Sequence, residues 1–211
     1  MIAYTNIRTS RYVVLPAIYA KSLSTITSLL ESAEASFLSR NYADVTMEEI
    51  AEAVGVTKGA AYHHFANKEA LYLAMMQSAL QEKQALFQTA VASPGTCQER
   101  LRRLTQIFLE LPREKRDVMK LVRRDINIFK DPVRDQLVRA YQSALPEQIE
   151  VIMRDGIRDG ELAPVDARLL SWLYVAIVEV ILTPYAERVL EDQQEMLDFV
   201  IRLFFSGTGA T

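Results

Sequence analysis

The run from Thr46 to Glu69, TMEEIAEAVGVTKGAAYHHFANKE, constrains this chain more than any other stretch. It predicts a helix, a glycine turn, a second helix and the start of a third. Thr46 and Glu49 stand at the spacing of a capping box. The threonine hydroxyl accepts from a first-turn amide, and the glutamate reaches back to the threonine N–H. Good helix formers follow, with Ile50 and Val54 four residues apart on one face. Ala51 is small enough to let a neighbouring helix come close. Gly55 then stops the helix, because glycine adopts the left-handed C′ conformation at little cost. Val56 closes the turn against a core, and Thr57 caps the next helix.

That next helix, roughly residues 57–65, is unusual for a surface helix. Lys58, Gly59, Ala60, Tyr62, His63 and His64 give it a face of small and polar residues. Gly59 costs about 0.5–1 kcal/mol relative to alanine in a helix interior. Close approach of the backbone to a large partner would explain it. Thr57 and Lys58 sit in the first turn, where free amides and the helix dipole favour a phosphate. Tyr62 and the two histidines supply donors and flat rings for phosphates and base edges. A helix-turn-helix carries such a helix into the DNA major groove. The competing reading is a short surface helix between two turns.

As a string, Thr46, Ile50, Ala51, Gly55, Val56, Thr57, Gly59, Tyr62, His64, Phe65, Lys68, Glu69 and Leu71 closely resemble the signature of the TetR family of transcriptional regulators. The resemblance implies a three-helix DNA-binding domain followed by a helical domain that binds an effector and dimerises. It implies that Thr57, Lys58, Gly59, Ala60, Tyr62, His63 and His64 belong to the recognition helix. Thr46 and Lys68 would touch phosphates from the flanking helix starts, and Phe65 and Leu71 would be core. Ala61 departs from the family's usual leucine, so looser packing is expected beneath the recognition helix. Asn41-Tyr42 replaces the usual glycine-aromatic pair; asparagine tolerates the left-handed conformation, so the turn should survive.

The chain has 211 residues, half of them hydrophobic, which suits one or two domains with a substantial core. Gly and Pro are scarce and helical periodicity dominates, so the fold class is all-α, with about nine helices counted between breaks. The expected divisions are a leader or basic arm at 1–21, the helix-turn-helix domain at 22–72, and the effector and dimerisation domain at 73–211. A net charge of −3 does not suit a protein that merely coats DNA. It suits a small local DNA site attached to a domain with another task. The lone Cys97 rules out an internal disulfide and a cysteine-rich metal site, and it reads as a partly exposed thiol after a cap. Arg8, Arg11 and Lys21 suit a basic arm. The short run VVLPAIYA imitates a signal peptide but is interrupted by Pro16. A cytoplasmic protein without a membrane span is expected.

Helices are expected at 22–40, with Ile26, Leu29, Leu30, Ala33 and Phe37 inward, and at 68–92. Thr96 and Glu99 repeat the capping box and open a helix with Leu101, Leu104, Ile107, Phe108 and Leu111 on one face. Another runs 114–129, and the next, 133–155, meets Pro146, which forces a kink or a break. The stretch 166–190 is apolar on nearly all sides, so it must be buried on more than one. With the last helix it would form half of a four-helix dimer interface through Leu169, Leu173, Ile177, Ile181, Leu197, Val200, Ile201 and Phe204.

The resemblance also implies an effector pocket in the second domain. Its candidate lining is Phe108, Met119, Asp125, Phe129, Tyr141, Trp172, Tyr174 and Glu179. Aromatics and methionine suit a hydrophobic small molecule. Glu179 is a lone acid in an apolar stretch and needs a partner: an arginine of this chain, one across a dimer, or a positive group on the effector.

The function expected is a ligand-responsive repressor that binds an inverted-repeat operator in double-stranded DNA as a homodimer. One alternative is an interaction or ligand-sensing module that has lost DNA binding. Another is an enzyme using His63 and His64. No nucleophile–base spacing, phosphate loop or metal-ligand pattern accompanies those histidines, so no catalytic residue, metal or cofactor is expected.

Overall fold

The structure, a computed structural model, describes residues 17–208, with side chains described from 22 to 206. Eleven α-helices and one short 3-10 helix make up the fold among these residues. Two more helices occur than the breaks in the sequence suggest, each for a local reason. Pro146 starts a new helix rather than kinking an old one, because the chain swings out of helical geometry at Leu145 (φ −135°, ψ −62°). The apolar stretch expected to run to Leu190 stops at Ile181, three residues before Pro184, and a four-residue helix follows. The helix expected to reach Phe129 likewise ends at Asp125. The Arg8 and Arg11 arm lies outside the described residues, as does the Lys21 side chain, and the first helix is already formed at Ala17.

The chain divides into two compact units at Met75/Met76. The first holds α1 (Ala17–Ser39), the 3-10 turn Tyr42–Asp44, α2 (Met47–Ala53), α3 (Lys58–His64) and the opening turns of α4 (Lys68–Val91). Leu29, Ala33 and Phe37 of α1 are fully buried, against a core that includes Ile50, Ala51, Ala61, Leu71 and Tyr72. Rings of Phe37, Tyr42 and Tyr72 meet with centroids 4.9–5.7 Å apart. Ala61 is wholly enclosed, so the core closes around its methyl instead of leaving α3 loose.

The second unit contains the rest of α4, then α5 (Cys97–Glu110), α6 (Arg113–Asp125), α7 (Val133–Ala144), α8 (Pro146–Arg158), α9 (Ala167–Ile181), α10 (Ala186–Val189) and α11 (Gln193–Thr208). α8 packs along α9, and α5 lies against both α8 and α11. The α5–α8 crossing needs Gly156: a Cβ there would come within 2.7 Å of the Cys97 Cβ. Cys97 is therefore buried, not partly exposed, and burial pushes its thiol pKa up to about 12. The phenol of Tyr174 and the hydroxyl of Thr105 share a buried 2.6 Å hydrogen bond between α9 and α5. No described helix is long and apolar enough to cross a membrane.

Candidate nucleic-acid interface and effector cavity

The turn between α2 and α3 is fixed at both ends by local hydrogen bonds. At the start of α2, Thr46 Oγ1 accepts from the Glu49 N–H at 3.2 Å, and Glu49 Oε2 accepts from the Thr46 N–H at 2.8 Å. Arg40 holds the other Glu49 oxygen at 2.9 Å. The Arg40 hydrogen bond first, then those from Thr46, lower the Glu49 carboxyl pKa to about 2. At the end of α2, Gly55 takes φ +70°. Its N–H donates to the Glu52 carbonyl, and the Val56 N–H donates to Ala51, each at 3.0 Å. This is the two-bond Schellman closure. Thr57 Oγ1 then accepts from the Ala60 N–H at 3.1 Å and starts α3.

Along α3, Thr57, Lys58, Gly59, Tyr62 and His63 are exposed, while Ala60 and His64 are half-buried. A Cβ added at Gly59 would meet nothing nearer than Thr57 Oγ1 at 3.9 Å. The glycine therefore fills no need of this chain's own packing. Lys58 pairs with the exposed Glu48, whose hydrogen bond raises the lysine's pKa and lowers its own. Glu48, an exposed acid beside α3 that the sequence did not single out, already engages the Lys58 ammonium. His63 and His64 meet edge to face with centroids 5.3 Å apart, although neighbouring helical residues point about 100° apart. Among the described residues, no group of three or more His, Cys, Asp and Glu is placed to hold a metal.

Lys68 is placed differently from the phosphate contact expected of it. Its ammonium donates to the carbonyls of Tyr42 at 2.7 Å and Val45 at 2.8 Å, and lies 4.4 Å from the Tyr42 ring centroid. The lysine ties α4 to the turn that precedes α2. Tyr42, read from the sequence only as the aromatic of the Asn41-Tyr42 turn, has its hydroxyl pKa raised to about 12 by burial and by Glu69.

In the second unit a cavity of about 480 Å³ lies among α5, α6, α7 and α9. Of the expected lining, Phe108, Met119, Tyr141 and Glu179 are there. Asp125 is buried against Arg124, Phe129 is buried elsewhere, and Tyr174 is committed to Thr105. Trp172 stands one ring back, its centroid 6.2 Å from that of Tyr141. Glu179 finds its partner within the chain, in Arg123. Burial raises its pKa, opposed by Arg123 and by a hydrogen bond from Tyr141.

The expected dimer residues separate into two sets. Leu169 and Leu173 are 59% and 50% exposed. Ala176 and Val180 continue their stripe along α9, and Val180 is 62% exposed. Ile177 is half-buried. Ile181 at the end of α9 is instead enclosed by its own chain, and so are Leu197, Val200, Ile201 and Phe204, because that face of α11 packs on α5 and α9. Among the described side chains of α11, Leu203 is the exposed large hydrophobic one.

Residues 29–75 match the model of a family described as bacterial regulatory proteins, tetR family. Residues 94–208 match a tetracyclin repressor-like C-terminal domain. The chain is 27% identical over 154 residues to the uncharacterized HTH-type transcriptional regulator YhgD of Bacillus subtilis (strain 168), covering 71% of this chain and 80% of YhgD. It is 37% identical over 87 residues to the HTH-type transcriptional regulator TtgR of Pseudomonas putida, covering 39% of this chain but only 40% of TtgR. The structure of AibR in complex with isovaleryl coenzyme A and operator DNA superimposes with a TM-score of 0.68 at 21% identity, covering 85% of this chain and 97% of AibR.

Proposed function

This chain belongs to the tetR family of bacterial regulatory proteins, and on that premise we propose that it is a ligand-responsive repressor binding an inverted-repeat operator as a homodimer. The observation that carries the DNA reading is the outer face of α3. Its first turn is capped by Thr57, its Lys58, Tyr62 and His63 point to solvent, and the open space over Gly59 leaves room for a phosphate backbone. Thr46 and Lys68 act by holding this face in position. Dimerisation through the α9 stripe and Leu203 would set two such helices about 34–36 Å apart, one turn of duplex. An effector in the second-unit cavity would favour a dimer with a different separation, releasing DNA by population shift. AibR, which shares the fold, has been solved in complex with isovaleryl coenzyme A and operator DNA, which supports reading this chain as having a DNA-binding part and an effector-binding part. Such a protein works beside the chromosome, in the cytoplasm.

Selection of bound duplexes from a random pool tests the core of this reading. Recovery of an inverted repeat protected by one dimer is the expected result. A folded protein that enriches no sequence would overturn it.

A further inference from the structure

The second-unit cavity has a charge pattern that its apolar walls do not require. Phe108, Met119, Leu145, Val175 and Val178 make a buried floor. Arg116, Lys120 and Arg123 line one side, at successive spacings of four and three residues along α6. Like charges at those spacings repel. Glu179 is the sole carboxylate in the lining, and it is taken by Arg123. Lys120 is taken by Asp117 at 2.7 Å. Arg116 has no carboxylate within ion-pair distance among the described residues; its guanidinium donates to the Leu109 carbonyl at 3.3 Å. The cavity thus pairs an apolar floor with one cation more than its neighbours neutralise. A cationic guest would meet three like charges, with the one acid already engaged. A neutral apolar guest would leave Arg116 as it is. An organic acid satisfies both halves of the site.

We propose that the cavity takes an amphipathic organic acid, its apolar chain on Phe108, Met119, Val175 and Val178 and its carboxylate at Arg116 with Arg123 beside it. This rests on the reading of the second unit as an effector domain. The ligand carboxylate competes with Glu179 for Arg123, so occupancy loosens the α6–α9 link that this ion pair makes.

Octanoate, octan-1-ol and octylamine have similar chains and differ in charge. Each is titrated into the full-length protein by calorimetry and by the fluorescence of Trp172, the single tryptophan, which stands behind Tyr141. Octanoate should bind at least tenfold tighter than the other two. Arg116→Met, which breaks no ion pair and gives up one hydrogen bond to the Leu109 carbonyl, should lose most of that preference while octan-1-ol binding and helix content are retained. Equal or tighter binding of the alcohol or amine, no saturable octanoate binding, or an Arg116→Met protein that binds octanoate like the parent would each overturn the proposal. Operator release is scored separately. If the alcohol releases DNA at a lower concentration than octanoate does, the regulator reading stands and the acid is wrong; if octanoate binds and DNA stays bound, the acid stands and its role as effector fails.

Discussion

The Lys68 ammonium donates to the Tyr42 carbonyl at 2.7 Å while lying 4.4 Å from the centroid of the same residue's ring. One side chain thereby satisfies the carbonyls of the turn and covers an aromatic face, and it fixes the entry to α2. Hydrogen bonds to a charged donor contribute about 1.5–3 kcal/mol. Lys68→Met should therefore lower stability by that order and weaken operator binding as a consequence, with the salt dependence of binding unchanged. Lys58→Met should do the reverse: an unaltered melting temperature, weaker binding, and a slope of log K against log salt smaller by about one phosphate contact. Equal slopes for Lys58→Met and the parent would rule out Lys58 as a phosphate ligand.

Gly59 separates folding from function in a single methyl group. Its Cβ position is open, so Gly59→Ala should stabilise the chain by about 0.5–1 kcal/mol, the ordinary helical gain. The same methyl stands where DNA backbone would approach, so operator affinity should fall at least tenfold. A stabilised variant with undiminished affinity would show that the glycine has no DNA-facing role.

Glu49 links the capping box to pH. Its folded-state pKa is depressed to about 2, so it binds a proton less readily in the folded chain than in the unfolded one. The stability it contributes is present above its unfolded pKa, about 4.3, and is lost as pH falls toward 2. Denaturant unfolding of the parent and of Glu49→Gln should differ at pH 6 and converge as the solution is acidified. A gap that persists undiminished at low pH would mean the carboxylate charge is not what stabilises the cap.

The two sets of apolar residues on the last helices should respond differently to substitution. Leu173→Arg places a charge on an exposed stripe and should yield a folded monomer by sedimentation, with helix content retained. Leu197→Ala empties a buried position and should cost about 2–5 kcal/mol of stability. A Leu173→Arg protein that stays dimeric would move the interface away from α9.

The pattern of agreement between sequence and structure follows from how local each interaction is. Thr46 with Glu49, Gly55, and Thr57 were legible because a cap is completed within a few residues of chain. The Lys68–Tyr42 tie joins residues far apart in sequence, and no spacing rule announces it. α9 and α11 are apolar around much of their circumference, so periodicity could not say which side faces their own chain. Leu197, Val200 and Phe204 look as suited to a partner as Leu169 and Leu173 until the packing of α11 against α5 is known. The cavity was half legible: aromatic character pointed to Phe108 and Tyr141, but nothing in the spacing of Arg116, Lys120 and Arg123 tells a cavity wall from a solvent-facing side of α6.

Ala176 and Val180 belong at once to the outward stripe of α9 and to the wall of the cavity. An occupant of the cavity and a second chain docked on the stripe would touch the same two residues. Thermodynamic reciprocity then applies between them: if an occupant tightens or loosens the association of two copies by some factor, association changes the occupant's affinity by the same factor. Diluting the protein would then be a way of tuning what it senses.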